Sequence, residues 1–100
     1  MLDWRLNDEA YGELVEAVTY YNNQSQRSGQ LFVSILEDSI ERILRMPYSA
    51  PVWEDYPHVR HRVLRRFPYS IIYLLEHEEV IVVALARDGR RPGYWLGRLR

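Results

Sequence analysis

The amino-acid sequence predicts an α+β fold: an N-terminal antiparallel helical hairpin packed on one face of a three- to four-stranded antiparallel sheet. Three observations carry that prediction. Apolar residues recur every three or four positions through the first half of the chain. From Val59 onward they alternate or run unbroken, as strands do. Pro47, Pro51 and Pro57 separate the two regimes.

Trp4, Arg5 and Leu6 form either a short edge strand or a lead-in. Asn7 or Asp8 then offers an N-cap, because a short polar side chain can accept from an orphan N–H of the first turn. Ala10, Tyr11, Leu14, Val15, Val18 and Tyr21 follow at helical spacing, which predicts a helix over 8–23. Glu9, Glu13 and Glu16 fall off that stripe and read as a solvated face, the first two near the positive end of the helix dipole. Asn22 to Gly29 is polar and reads as a turn. Leu31, Phe32, Ile35, Leu36, Ile40, Ile43 and Leu44 then define a second helix over 28–45, stopped by Pro47. A short connection makes the two helices antiparallel neighbours.

Residues 47–58 read as an irregular loop anchored by Trp53. Val59, His61 and Val63 then point one way, and Arg60, Arg62 and Leu64 the other. Tyr69 to Leu75 and Val80 to Ala86 are near-continuous apolar strands joined by a tight turn at His77-Glu78-Glu79. Strands without alternation are buried on both faces. The helices cover one face. The other needs a cover too, and a partner's segment laid across it is the natural expectation; the C-terminal tail or a second copy would also serve.

The bulk numbers narrow the function. A chain of 100 residues makes one domain with a modest core, burying roughly 65% of its unfolded surface. With 47% apolar and 27% charged residues, disorder is excluded. No apolar run approaches the ~18 residues of a membrane span. Met1 to Arg5 lacks the layout of a secretory signal. The absence of cysteine removes disulfides, thiolate metal sites and cysteine nucleophiles, and fits the cytoplasm.

The net charge of −1 conceals an asymmetry. Residues 1–50 carry eight Asp and Glu against four Arg, whereas residues 51–100 carry nine Arg against six Asp and Glu. All 13 basic residues are Arg. Arginine is a planar, permanently charged fork suited to carboxylate and phosphate. The second half therefore presents a basic surface to an acidic partner or a polyanion.

Leu64-Arg65-Arg66-Phe67-Pro68-Tyr69-Ser70-Ile71-Ile72-Tyr73 resembles the strand pair of RelE/ParE-type toxins. So does Val82-Val83-Ala84-Leu85-Ala86, followed by Arg90-Arg91-Pro92-Gly93-Tyr94-Trp95. Ala17-Val18-Thr19-Tyr20-Tyr21, Gly29, Phe32 and Ile43 before Pro47 agree with the N-terminal part. The resemblance spans about residues 7–95. It implies a growth-inhibiting bacterial toxin of a type II toxin–antitoxin system, held inactive by a cognate antitoxin with an acidic C-terminal segment.

The resemblance also implies one of two mechanisms. ParE-like members poison DNA gyrase by binding. RelE-like members cleave mRNA on the ribosome, which requires a proton shuttle and charge stabilisation at the scissile phosphate. Where the nuclease pattern has two alternating basic residues, this chain has His61 and Val63; a shift of one residue would bring in Arg62. Where the pattern has Arg between Tyr69 and Ile71, Ser70 stands. After the last strand, Arg90 or Arg91 and Tyr94 match, but related sequences often carry His where Arg87 stands, and guanidinium does not act as a base. The nuclease set would be His61, Arg65, Arg90, Arg91 and Tyr94, and it looks incomplete. The expectation is therefore a gyrase-directed binding toxin, with the ribosome-dependent endonuclease as the alternative.

The residues expected to contact the target or the antitoxin are Arg62, Arg65, Arg66, Arg87, Arg90, Arg91, Tyr94 and Trp95. Each has a plainer reading. Edge-strand arginines also prevent aggregation, Arg87, Arg90 and Arg91 could pair with Asp88, Glu78 or Glu79, and Trp95 could be a clasp holding the tail to the sheet. His58, His61 and His77 are too scattered for a metal site. No cofactor, metal or membrane partner is expected.

Overall fold

Five strands form the sheet in the order β1-β5-β4-β3-β2, and two helices lie against one of its faces. The structure, a computed structural model, describes residues 2–99. Along the chain come β1 (Asp3–Leu6), α1 (Asp8–Gln24), α2 (Gln26–Arg45), β2 (Val52–Trp53), β3 (Tyr56–Val63), β4 (Tyr69–Glu76) and β5 (Glu79–Arg87). A single 3₁₀ turn follows at Leu96–Arg98.

The sheet is wider than expected, and one pairing differs in sense. β1 runs parallel to β5, with Asp3 opposite Glu79 and Leu6 opposite Val82. A parallel neighbour cannot be joined by a hairpin, and the chain passes through α1, α2 and three further strands before β5 pairs with β1. The other new strand, β2, lies inside the proline-rich stretch that reads as a loop. It is two residues long, and the Pro51 carbonyl extends its pairing by accepting the His61 N–H at 3.0 Å.

The helices meet at one residue. Asn7 caps α1 by accepting from the Ala10 N–H at 2.8 Å. The polar run from Asn22 to Gly29 is helical except at Ser25. There the backbone is extended, its N–H closes α1 on the Tyr21 carbonyl, and its side chain caps α2 through the Ser28 N–H at 3.0 Å. Capping at both ends outweighs the weak helix propensity of the run. Gly29 is needed for closeness rather than for a turn: a Cβ there would collide with the Asn22 side chain.

The core under the helices joins Ala10, Ala17, Phe32, Ile35 and Ile43 to Ile71, Tyr73, Val80, Val82 and Leu85. At one end Tyr21 stacks on Phe32 at 5.1 Å, and Phe67 meets both edge-on. Tyr73 satisfies its buried hydroxyl by donating to the Pro47 carbonyl at 2.7 Å.

The far face of the sheet is covered not by a partner's segment but by the C-terminal tail, the alternative the sequence allows, with Trp95 as its clasp. Val59, Ile72, Val83 and Ala84 are covered by the chain's own Trp95, which is only 1% exposed. Trp53 closes over it, ring to ring at 5.1 Å, and Leu96 and Leu99 complete the cover. The residues after β5 therefore act as a strap. A bulge at Val83 permits this, turning both Val83 and Ala84 to the far side while Val82 and Leu85 face the helices.

The β4–β5 connection is a two-residue turn at His77 (φ 52°) and Glu78 (φ 61°). Left-handed backbone at both central positions favours Asn-Gly. Non-glycine residues there cost roughly 1 kcal/mol each. Replacing His77 and Glu78 by Asn and Gly is expected to raise stability by about 1 kcal/mol, or roughly 4–8 °C in Tm. An unchanged melting temperature would show that the turn holds no strain.

Candidate functional site: a basic sheet end and a locked strap

The Tyr69–Arg87 register brings the β3–β4 turn and the end of β5 to the same end of the sheet. Arg65, Arg66, Arg87, Arg90 and Arg91 all stand there exposed. Arg66 occupies the left-handed region (φ 69°), which turns the chain sharply between β3 and β4. Arg62 is half-buried and lines a pocket with Arg65 and with Asp38, Glu41, Arg42 and Arg45 of α2. Among the described residues none of Arg62, Arg65, Arg66, Arg87, Arg90 and Arg91 has a carboxylate within ion-pair distance. The plainer alternative, pairing of Arg87, Arg90 or Arg91 with Asp88, Glu78 or Glu79, is not made among the described residues. Five of the six arginines singled out in the sequence form one basic end.

A shallow cleft of about 200 Å³ opens on the far face beside this end. His61, Ser70 and Trp53 line it from the sheet side, and Arg90 and Arg91 from the turn. His61 sits edge-on to the Trp53 ring at 5.6 Å. Val63, opposite Ser70 on the neighbouring strand, is 64% exposed and offers no proton. Among the described residues no three His, Asp or Glu side chains converge as a metal site.

Tyr94 and Trp95, expected as contact residues, have internal roles. Trp95 is the buried centre of the strap. Tyr94 donates its hydroxyl to Glu13 Oε2 at 2.6 Å. Arg90 lies 3.8 Å from the Tyr94 ring centroid, a cation–π contact that anchors the turn to the strap.

Glu13 is the residue that sequence reasoning places wrongly. It is not on a solvated face: its side chain is 12% exposed. It accepts both guanidinium nitrogens of Arg98, at 2.9 and 3.1 Å, and the backbone N–H of Leu85 at 3.0 Å. Arg98 also donates to the Val83 carbonyl at 3.1 Å. β1 stops at Leu6, with the Asn7 N–H on the Val82 carbonyl, so β5 beyond that point has no strand beside it. One ion pair thus satisfies the bared strand edge and ties α1 to the strap. The signal was present: Glu13 stands between Ala10 and Ala17 at helical spacing, and those are the fully buried positions of α1.

The local chemistry follows. Burial alone would raise the Glu13 pKa, but the hydrogen bonds from Arg98, Tyr94 and the Leu85 N–H outweigh it and hold the carboxyl below its ordinary 4.5. Burial, reinforced by the hydrogen bond to Glu13 and its charge, pushes the Tyr94 phenol well above its ordinary 10.0. The hydrogen bond to Glu13 raises Arg98 in turn. The Tyr94 hydroxyl is therefore fixed in its protonated form and aimed at α1.

The helical hairpin on a sheet, together with a family match, places the chain in the RelE/ParE class of small toxins. A family model described as the ParE toxin of type II toxin–antitoxin system, parDE, matches residues 5–92, and the chain belongs to that family. It is accordingly a type II toxin whose partner is an antitoxin. Among solved structures, a chain of the chromosomal ParDE system from P. aeruginosa is similar in fold, with a TM-score of 0.74. The match covers 87% of this chain and 96% of that one at 17% identity. No curated protein matches in sequence.

Proposed function

We infer that this toxin halts growth by binding and poisoning DNA gyrase in the cytoplasm, and that it does not cut mRNA. The observation that carries this reading is the commitment of Tyr94 to Glu13. A ribonuclease of this class needs a residue near the cleft to move a proton. Tyr94 stands at the matching position, but its hydroxyl is held against α1 and its pKa is raised. Ser70 and Val63 occupy the places of basic residues. His61 is left alone against Trp53. Membership in the ParE family supports the same reading.

In this view Arg65, Arg66, Arg87, Arg90 and Arg91 are recognition residues, working through charge rather than through chemistry. The test is induced expression in the absence of antitoxin. The expected result is an SOS response, gyrase trapped on cleaved DNA and intact transcripts. Transcripts cut within codons, with no SOS response, would establish the ribosome-dependent nuclease instead, with His61, Arg65, Arg90 and Arg91 as its candidate residues.

A further inference from the structure

Arg60 and Arg62 stand two residues apart on β3 and so share one face of the sheet. Both are half-buried, yet their surroundings differ. The Arg60 guanidinium donates to the Tyr48 and Ala50 carbonyls at 2.9 and 2.7 Å. That of Arg62 makes no ion pair and no such hydrogen bond among the described residues. A charge drawn partly out of water without a partner is disfavoured, and such an orphan calls for a partner outside the chain.

A pocket surrounds it. The space is about 270 Å³ and lies between the C-terminal half of α2 and the end of β3. Arg42, Arg45 and Arg65 line it together with Arg62. Of these four only Arg45 has a carboxylate partner among the described residues, Glu41 at 3.2 Å. Asp38 is the other acidic residue of the lining, so four guanidiniums face two carboxylates. Arg42 and Arg45 suit the negative end of the α2 dipole. Arg62 and Arg65 lie outside that helix and owe nothing to it.

Ser39 is the most buried polar group of the lining. It is only 8% exposed, and its hydroxyl makes no hydrogen bond among the described residues. No fully sealed side-chain polar atom among those residues lacks a partner. The Ser39 oxygen therefore reaches solvent through the pocket.

A hydroxyl and three unpaired guanidiniums fit an anion with oxygens on several sides. A carboxylate offers two oxygens in one plane, which a single arginine fork satisfies. A phosphoryl group spreads its oxygens in three dimensions. Arg65 belongs to the basic sheet end as well as to the pocket, so the positive charge continues to Arg66 and on to Arg87, Arg90 and Arg91. A lone anion would use the pocket alone, whereas a chain of phosphates would use the whole track.

We propose that this pocket seats a backbone phosphate of duplex DNA, with the flanking phosphates lying along the basic sheet end. The choice of DNA rests on the gyrase reading, which brings a duplex beside the toxin.

The test is binding of a short fluorescent DNA duplex to the purified toxin, followed by anisotropy across a salt series. Wild type is expected to bind with a Kd of roughly 1–100 μM, weakening steeply as salt rises. Arg42→Gln with Arg65→Gln, both at exposed positions, should raise Kd about tenfold and reduce the salt slope by about two. Arg62→Gln alone should reduce the slope by about one; if it lowers the melting temperature, the double variant decides. Arg27→Gln, at the other end of α2, should bind like wild type. Absence of duplex binding at low salt, or a double variant within twofold of wild type and with the same slope, overturns the proposal. So does tighter binding of single-stranded RNA than of the duplex, or a double variant that loses antitoxin affinity but keeps the duplex. Inorganic phosphate held by a toxin that binds no duplex overturns it too. A toxin that binds the duplex through these arginines but traps no gyrase refutes the gyrase reading instead and leaves the phosphate site standing.

Discussion

Replacing Glu13 by Ala is expected to destabilise the protein by about 3–5 kcal/mol, the usual cost of leaving one partner of a buried ion pair alone. The loss should exceed that of one pair interaction, because the Leu85 N–H and the Tyr94 hydroxyl lose their acceptor at the same time. Denaturant unfolding measures it, and a change below about 1 kcal/mol, the level of exposed pairs, would show that the cluster is solvated after all. The same cluster sets the pH range. The Glu13 pKa is lowered on folding, so its contribution is full above the ordinary value of 4.5 and is lost as pH falls through the lower folded value. The Tyr94 pKa is raised on folding, so its contribution is full below 10.0 and is lost at more alkaline pH. Stability should form a plateau between those limits. In Glu13→Gln both shoulders should soften, whereas an unaltered pH profile would exclude the cluster as their source.

Trp95→Ala is the second large effect, at about 3–5 kcal/mol. Trp95 fills the interface between the strap and Val59, Ile72, Val83 and Ala84, and no neighbour can collapse into its volume without moving Trp53. The variant should expose the far face and bind the apolar dye ANS while keeping its far-UV circular dichroism. Near-wild-type stability without dye binding would mean that Leu96 and Leu99 cover the sheet unaided. Trp95→Phe should recover part of the loss, since an aromatic ring keeps the edge contact with Trp53.

Much of this architecture is legible in the sequence because it is written in local periodicity. The stripes through Leu14 and Val18, and through Phe32 and Ile43, predict both helices. The unbroken runs of β4 and β5 predict strands with two covered faces. The features that escape are the non-local ones. The parallel pairing of β1 depends on a neighbour made after both helices, and nothing within Trp4-Arg5-Leu6 announces it. Ser25 is invisible as a junction because its neighbours also favour turns; only its paired caps single it out. Glu13 is misplaced because its charge argues for solvent while its position argues for burial, and the deciding partners, Tyr94 and Arg98, lie at the other end of the chain. The basic sheet end is legible through composition, since nine arginines in the second half must gather somewhere. The tethering of the Tyr94 hydroxyl to α1 is not, because it hangs on that same distant carboxylate.

The Leu6–Val82 pairing has a temporal side. A ribosome makes β1 before the helices and β5 only after every other strand, so β1 has no neighbour to dock on while most of the chain is still being translated. Closing so long a loop is slow compared with forming the hairpin. The complete sheet therefore forms only once β5 has been made.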